Sequence, residues 1–524
     1  MRAPHFFALL AAAVVPLAAQ QKTWPVAGVV VNSVTGDPVK GARMTLRPED
    51  PPGTPLYAST DDAGRFSFSA VPQGKLALLG EHSGFPQQSL SQPAGSSGFG
   101  VAIITGPGLD MEHLIFRLIP GAAISGRVVD DQGDPVQSAL IEVFRSAVSG
   151  GQRQVRIYRY GYSNDIGEFR VGDLGPGTYY LAVSGQPWYS SAGTGDALAK
   201  RTYPLTYYPG TSDASAASGL VLKPGQELTA NLEVRTISGV TVSVALGEVT
   251  GTLHGALNTT GIEGREIYFR QSQAGGPAIV FTGVPPGEYR LIAGSDTKPG
   301  EVMMKEIEVG TSDLELQFEP TGMPRITGTV ETDAYDASTL RGAYIRFYDK
   351  ETGRGGTTAL APDGSFSTPA RPGHYSVSLG GVKNLSMEGF TVDGSPAADG
   401  ILDLNQPVPR ELKIRATFSS ARVQGHLYRN GRLLPGELVL LAPARDTGNP
   451  FDIHAYETDA DGSFDFPAIR PGSYVLIAVE DGMDLEYANP AVLAPLRAHG
   501  MPIELARDET LHERLEVPAS APAK

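Results

Sequence analysis

Aromatic residues are concentrated in one part of this chain. Nine of its 20 tyrosines lie between Tyr158 and Tyr208, and Trp188, one of only two tryptophans, lies among them. Flat rings with polar edges stack on sugar rings or hold a protein segment, so this region is the candidate ligand-binding site. The candidate residues are Trp188, Tyr189, Tyr203, Tyr207 and Tyr208.

The alternative role for these tyrosines is structural. Tyrosine favours strands, and alternating tyrosines can fill a sandwich core or cover loops. Tyr158, Tyr160 and Tyr162 alternate in this way, which predicts three rings on one face of a strand, and such a face can be buried or exposed. Trp188 and Tyr189 lie in a polar stretch rich in Ser and Gly, where a core role is less expected, and they are the better ligand candidates.

The sequence lacks the common catalytic and metal-binding motifs. Its nine histidines include no H-E-x-x-H and no pair at metal-ligand spacing, and there is no G-x-S-x-G, no P-loop and no cysteine. Residues 459–462 (Asp-Ala-Asp-Gly) imitate the start of a calcium loop but lack its closing glutamate, which favours a hairpin turn. We therefore expect no enzyme, metal or cofactor. A hydrolase, or its accessory subunit, with an unrecognised active site is the alternative.

An internal repeat supplies the elements that must position the aromatic residues. Each copy opens with an apolar-x-Gly-x-apolar strand, and the five opening glycines are Gly28, Gly126, Gly251, Gly328 and Gly425. Four copies continue with an Asp-Gly or Asp-x-Gly turn, beginning at Asp62, Asp165, Asp363 and Asp461. All five then carry a Pro/Gly turn that leads into another strand, and in four of them tyrosine follows this turn.

These short strands predict an all-β fold, a tandem array of about five antiparallel β-sandwiches of transthyretin-like or Ig-like type. The predicted sandwiches span residues 21–119, 120–236 (with the Tyr-rich insertion), 237–320, 321–417 and 418–524. The third is the most divergent, because it lacks the Asp-x-Gly turn. Short junctions restrict bending, so five such units in line would form a rod of about 150–200 Å.

The N-terminal residues predict export. Arg2 precedes the apolar run 6–15, and the small residues Ala18 and Ala19 follow, which is typical of a signal peptide over residues 1–20. No later segment reaches 18 apolar residues, so we expect no membrane span after cleavage and a periplasmic, cell-surface or extracellular location. The formal charge of −15 argues against nucleic acid as a partner.

Two phrases of the repeat resemble a known family. Residues 28–42 read GVVVNSVTGDPVKGA and residues 126–136 read GRVVDDQGDPV, each followed by the two turns described above. They resemble the carboxypeptidase regulatory-like domain, whose fold is a transthyretin-like β-sandwich. This resemblance implies a non-enzymatic protein of the bacterial cell envelope that acts as a scaffold or binding protein. Its partner would be a polysaccharide or another envelope protein, and the family supplies no shared catalytic residues.

Overall fold

The protein is described by a computed structural model of the 524-residue chain. The described residues are 22–92, 100–192, 197–246, 253–262, 266–273, 277–295, 302–319, 325–333, 339–349, 355–371, 373–382, 384–397, 400–404, 410–418 and 420–517. They form ten sheets, which face each other in pairs as five sandwiches. The predicted all-β fold is confirmed.

The first two sandwiches contain eighteen strands. In the first they are β1 (Thr23–Asn32), β2 (Arg43–Asp50), β3 (Leu56–Ser59), β4 (Arg65–Pro72), β5 (Gly74–His82), β6 (Phe85–Ser89), β7 (Ala102–Thr105) and β8 (Leu114–Leu118). In the second they are β9 (Ala122–Asp130), β10 (Leu140–Ser149), β11 (Gln152–Tyr162), β12 (Glu168–Leu174), β13 (Gly177–Gly185), β14 (Arg201–Tyr207), β15 (Leu220–Leu222), β16 (Glu227–Thr229), β17 (Leu232–Val234) and β18 (Ile237–Ser238).

The third and fourth sandwiches continue the same pattern. The third contains β19 (Val240–Ala245), β20 (Leu253–Thr260), β21 (Glu266–Gln273), β22 (Ala278–Val284), β23 (Gly287–Ser295), β24 (Val302–Val309) and β25 (Leu314–Gln317). The fourth contains β26 (Arg325–Thr332), β27 (Tyr344–Asp349), β28 (Gly355–Ala359), β29 (Ser365–Pro369), β30 (His374–Gly380), β31 (Ser386–Val392), β32 (Ser395–Pro396), β33 (Ile401–Asp403) and β34 (Arg410–Thr417).

The fifth sandwich includes one α-helix besides its strands. Its strands are β35 (Ala421–Arg429), β36 (Arg432–Leu433), β37 (Leu438–Pro443), β38 (His454–Glu457), β39 (Ser463–Ile469), β40 (Gly472–Val479), β41 (Met501–Leu505) and β42 (Thr510–Glu516), and the helix is α1 (Pro490–His499). Short 3₁₀ helices are found at Trp188–Ala192, Ala197–Lys200, Ala214–Ala216, Pro450–Asp452 and Gly482–Asp484. No helix in the described part of the chain is long and apolar enough to cross a membrane.

Every sandwich places its first strand between two others in one of its two sheets. In the first sandwich the order is β4-β1-β8, with β1 antiparallel to β4 and parallel to β8. The same arrangement recurs as β12-β9-β16, β22-β19-β25, β29-β26-β34 and β39-β35-β42. Each pair of sheets encloses a separate apolar core, because alternate residues of every strand point inward.

The opening glycines of the repeat leave space for the last strand. In four sandwiches the glycine lies opposite a phenylalanine of the antiparallel neighbour, in the pairs Gly28–Phe66, Gly126–Phe169, Gly328–Phe366 and Gly425–Phe464. A Cβ atom at these glycines would overlap a backbone oxygen of the parallel last strand, as at Gly328 and Leu412. The repeated glycine is therefore a requirement of close strand approach.

The third sandwich meets this requirement differently. Its first strand is β19, in which Val242 lies opposite Phe281 and beside Leu314 of the last strand. Gly251, predicted to open this unit, lies outside the described residues, and Val242 takes the position that glycine has elsewhere. In this sandwich Gly255 of the facing sheet leaves the room for the Phe281 ring.

The Pro/Gly turns are fixed by tyrosine hydroxyl groups. The turn glycines have φ between +147° and +157°, a region that side chains rarely adopt, at Gly74, Gly177, Gly287, Gly373 and Gly472. In four sandwiches the following tyrosine donates a hydrogen bond to the carbonyl four residues before it, over 2.7 to 3.0 Å, from Tyr179, Tyr289, Tyr375 and Tyr474. In the first sandwich Leu76 replaces the tyrosine.

The sandwiches do not follow one another in a line, so they do not form the rod that five units in line would make. The first contacts the fifth, where Lys75 Nζ lies 2.9 Å from a carboxylate oxygen of Asp459 and the Ala460 amide donates to the Ala102 carbonyl over 2.9 Å. The second also contacts the fifth, through the 2.8 Å ion pair of Arg153 and Glu486. Contacts between sandwiches far apart in sequence fold the array back on itself.

Further contacts join the second, fourth and fifth sandwiches. The Gln154 amide donates to the Tyr348 hydroxyl, and the Tyr348 ring packs edge-on against Phe451 at 6.0 Å between centroids. Arg507 pairs with Glu388 at 3.1 Å. The second, fourth and fifth sandwiches therefore pack side chains against one another, although their sequences are far apart.

Helix α1 follows the segment that contacts the second sandwich, in which the Ala488 amide donates to the Gly151 carbonyl over 3.0 Å. It is capped by the Asn489 side chain, which accepts from the Ala491 amide over 3.0 Å. The helix covers the outer face of β37 and β40, where Leu493 is buried with Leu440 and Tyr487. The sequence does not predict helix α1, because ten residues are too few to show a clear helical period of apolar residues.

Substituting Gly328 by alanine tests the close strand approach. The added methyl group would overlap the Leu412 carbonyl and the Phe366 ring, so we expect the fourth sandwich to lose about 1–3 kcal/mol of unfolding free energy. Gly356→Ala is the matched control, because a Cβ atom there meets nothing within 4 Å. Thermal unfolding of both variants measures the difference, and equal midpoints would refute the explanation.

Substituting Lys75 by alanine tests the folded-back arrangement. The variant leaves the Asp459 carboxylate buried without its cation, which is strongly unfavourable, and we expect the first and fifth sandwiches to separate. Small-angle X-ray scattering should show a larger radius of gyration. Lys40→Ala is the control, because the Lys40–Asp62 pair is 73% and 86% exposed. An unchanged radius of gyration for Lys75→Ala would show that the contact between the first and fifth sandwiches does not depend on this ion pair.

Candidate functional site

The loop after β13 presents the most exposed aromatic side chain of the candidate set. The Trp188 side chain is 80% exposed, and Tyr189 beside it is half-buried. Their ring centroids are 5.7 Å apart and the rings are nearly perpendicular, at 82°. This edge-to-face arrangement supports the indole from one side and leaves it accessible to solvent.

The Trp188 loop is attached to the third sandwich at both of its ends. Before the tryptophan, the Gln186 amide donates to the Thr282 carbonyl over 3.3 Å. After the loop, Lys200 pairs with Asp313 at 2.6 Å, and this hydrogen bond lowers the pKa of the Asp313 carboxyl below its usual value. Attachment at two points reduces the conformational entropy that a ligand would have to remove.

The other three candidate residues are less accessible. Tyr203 is buried in the core of the second sandwich, where burial raises the pKa of its hydroxyl to about 12. Tyr207 is buried on the outer side of the same sheet, and Tyr208 is half-buried against the core. The structure therefore brings only Trp188 and Tyr189 together at the surface, and Tyr203 and Tyr207 present no ring face to a ligand.

The tyrosines of β11 divide into two groups. A register shift opposite Val143 interrupts the alternation of β11, and the Tyr158 ring packs 5.9 Å from buried Tyr179 and under Arg145. Tyr160 and Tyr162 contact each other at 6.3 Å and are 68% and 61% exposed. The three rings do not share one face as predicted, because a β-bulge cannot be read from residue spacing.

A buried acid lies on the outer side of this sheet. Glu142, Ala182 and Tyr207 are cross-strand neighbours, and the small alanine separates the carboxyl from the phenol. Among the residues that the structure describes, one Glu142 oxygen and the Tyr207 hydroxyl have no hydrogen-bond partner, and burial raises the pKa of Glu142 to about 7. Ile262 from the third sandwich closes this region, so the pair is enclosed rather than open to a substrate.

A second group of titratable residues connects the first and fifth sandwiches. The Tyr456 hydroxyl lies 2.5 Å from Lys75 Nζ and donates to Asp459 over 2.8 Å. The Asp459 segment forms the predicted hairpin turn, with Gly462 at φ +75° and its amide donating to the Asp459 carbonyl. No three His, Cys, Asp or Glu side chains among the residues that the structure describes are placed to hold a metal ion.

A cleft that the sequence does not predict lies between the fourth and fifth sandwiches. Its volume is about 660 Å³, within the range of about 300–1,000 Å³ typical of ligand sites. Lys413 and Arg415 on β34 face residues of the loop that precedes β38 across this space. The alternation Leu-Lys-Ile-Arg-Ala at 412–416 predicts that both cations point away from the core, but only the packing of the fourth sandwich against the fifth shows what they face.

Comparison with known proteins gives a limited result. No family model and no curated protein matches this chain. Among solved structures, the minor pilin GBS52 of Streptococcus agalactiae is 12% identical with a TM-score of 0.22, covering 41% of this chain and 96% of its own. The TIE protein of Bacillus anthracis is 10% identical with a TM-score of 0.18, over 94% of this chain and 74% of its own. No conclusion about function follows from likeness at these scores.

Substituting Glu142 by glutamine tests the buried acid. Because the folded-state pKa is raised from 4.5 to about 7, the stability contributed by protonated Glu142 is fully present below pH 4.5 and is lost as the pH rises through 7. We expect the variant to match the parent at pH 4.5 and to exceed it at pH 8, by up to about 3 kcal/mol of unfolding free energy.

Differential scanning calorimetry of the parent and variant at both pH values measures this effect. Glu168→Gln, at an exposed carboxyl of the same sandwich, is the control, because an exposed substitution changes the unfolding free energy little. A difference between Glu142→Gln and the parent that is the same at both pH values would contradict the raised pKa.

Proposed function

We propose that this protein is a non-enzymatic, exported scaffold of the bacterial cell envelope that binds a polysaccharide through Trp188 and Tyr189. The observation that carries the proposal is the exposed Trp188 indole in a loop anchored at both ends. A sugar ring offers an apolar face that stacks on an indole and hydroxyl groups that bond to neighbouring polar residues. One such site is weak, and repeated sugars along a polymer raise its apparent affinity.

The proposal also covers the family and the limits of the sandwiches. We assign the chain to the carboxypeptidase regulatory-like domains, on the repeated phrases quoted above, the opening glycines and the tyrosine-fixed turns. The limits proposed are 21–119, 120–236, 237–320, 321–417 and 418–524, after a signal peptide over residues 1–20. Strand β18, which begins the third of these ranges, pairs with β14 of the second sandwich. The five separate cores favour independent sandwiches that are held together by surface contacts.

A protein partner is the second candidate, and a specific surface favours it. Strand β11 is eleven residues long and lies at the edge of its sheet, where β10 is its only strand partner in the described part of the chain. Its exposed Tyr160 and Tyr162 would contact a strand added along this edge. Addition of a strand to an exposed edge is a common way for two proteins to associate.

Affinity electrophoresis tests the proposed function. We expect the mature protein to be retarded in a gel containing one of a panel of soluble polysaccharides, and Trp188→Ala to migrate as in the empty gel. Trp24→Phe is the matched control, because Trp24 is the second tryptophan and lies half-buried on β1, and it should be retarded like the parent.

Two results would contradict this proposal. Migration of the parent without retardation in every gel would contradict polysaccharide binding. The edge of β11 would then be the candidate binding surface for a protein partner. Equal retardation of the parent and Trp188→Ala would place the binding site elsewhere on the protein.

A further inference from the structure

One wall of the cleft between the fourth and fifth sandwiches is a hairpin that, among the described residues, only the fourth sandwich has. In the other sandwiches the last strand lies at or near the edge of its sheet, but here the hairpin of β31 and β32 pairs with the last strand, β34. This hairpin widens the sheet and forms one wall of the cleft. The loop before β38, with Asn449 and Asp452, forms the other wall.

The two walls are held at a fixed separation by direct contacts. Arg470 at the base of the cleft donates to the Glu388 carbonyl over 3.3 Å, and Arg507 pairs with the Glu388 side chain. Gly400 packs against the Asn449 side chain, since a Cβ atom there would lie 3.3 Å from the amide nitrogen. The cleft is thus preformed between two rigid sheets.

Two cations point into this space from one strand. Lys413 and Arg415 are two residues apart on β34 and are both exposed. Gly389 lies beside Arg415 on β31 with nothing within 4 Å of the place a Cβ would occupy, so no side chain covers the guanidinium from that strand. The spacing places an ammonium and a guanidinium side by side over an open floor.

Neither cation is paired with an acid in the part of the chain that the structure describes. Other basic residues nearby are paired, as Arg410 is with Asp393 at 2.8 Å and Arg422 with Asp465 at 2.5 Å. Glu331 and Asp452 also line the cleft, and Glu331 on β26 is the register neighbour of Arg415 in the parallel ladder. Two unpaired cations at one place are unusual in a chain of net charge −15.

The remaining lining is suited to a ligand with both hydroxyl groups and an apolar face. Thr391 and Thr447 offer hydroxyls, and the Asn449 side chain uses its oxygen to accept from the Phe451 amide, which leaves its amide hydrogens to donate. Met387 and Pro396 add apolar surface on the β31–β32 side.

We propose that this cleft binds an acidic sugar, whose carboxylate is held by Lys413 and Arg415. Guanidinium and carboxylate groups match in a two-point hydrogen-bonded pair, and the lysine adds a second positive charge. The sugar hydroxyls bond to Thr391, Thr447 and Asn449, and its apolar ring face lies on Pro396. The site shares no residue with the Trp188 loop and does not depend on the function proposed for that loop.

Calorimetric titration with trigalacturonate, an acidic trisaccharide, tests the proposal on the full chain. We expect the parent protein to bind it, with affinity that falls as salt is added. The double variant Lys413→Ala/Arg415→Ala should bind at least about tenfold more weakly, because it loses charge-assisted hydrogen bonds. Arg415→Lys keeps the charge but not the two-point geometry, and should lie between the parent and the double variant.

The control is Arg117→Ala in the first sandwich. In the parallel ladders of the two sandwiches, Arg117 lies in register with Val31 of β1 just as Arg415 lies in register with Glu331 of β26, so Arg117 occupies the equivalent position outside the cleft. It should bind trigalacturonate like the parent, and so should Trp188→Ala, which separates this site from the polysaccharide site. We expect each variant to have the same thermal unfolding midpoint as the parent, because the substituted side chains are exposed and the fold should stay intact.

Four results would overturn the proposal. Three of them are no binding by the parent, equal binding by the parent and the double variant, and equal affinity for the neutral trisaccharide maltotriose. Tighter binding of a hexaglutamate peptide than of trigalacturonate would also overturn it, because the cleft would then select acidic protein segments.

Discussion

The parallel pairing of first and last strands is the constraint on which each sandwich depends. Parallel neighbours run in the same direction, so the chain enters a sandwich at one end and leaves it at the other. The strands must also approach closely, which explains Gly28, Gly328 and their equivalents. Val242 shows that the pairing, not the glycine, is essential, because the third sandwich keeps the parallel ladder and finds room in the facing sheet instead.

Contacts between distant sandwiches then decide the arrangement of the array. Entry and exit at opposite ends would by themselves favour a line, yet Lys75 contacts Asp459 across more than three hundred residues. The second and fifth sandwiches carry the long hairpin of β10 and β11 and the insertion around α1, and these two insertions meet. The segments that extend the common sandwich fold therefore form the contact surfaces between the sandwiches of this chain.

Much of the fold is readable from the sequence, because tight turns and close strands restrict residue choice. Asp-x-Gly and Pro/Gly turns need glycine at positive φ, and these positions identify strands on either side. The site is readable only in part. Trp188 could be selected from its polar surroundings, but Tyr207 could not be placed, since its burial depends on Ile262 from the next sandwich. Lys413 and Arg415 carry an outward-facing pattern, yet the cleft they line exists only after two sandwiches pack together.

The parallel ladder also has a mechanical consequence. When a chain is pulled at its two ends, the hydrogen bonds between parallel first and last strands are loaded all at once, in shear, and resist together. The contacts between sandwiches, such as Lys75 with Asp459, are instead individual side-chain contacts that separate one after another. Stretching of single molecules should therefore show an early extension at low force, as the array straightens, before any sandwich unravels. A folded-back array of this kind stores length that it can release under load and recover when the load is removed.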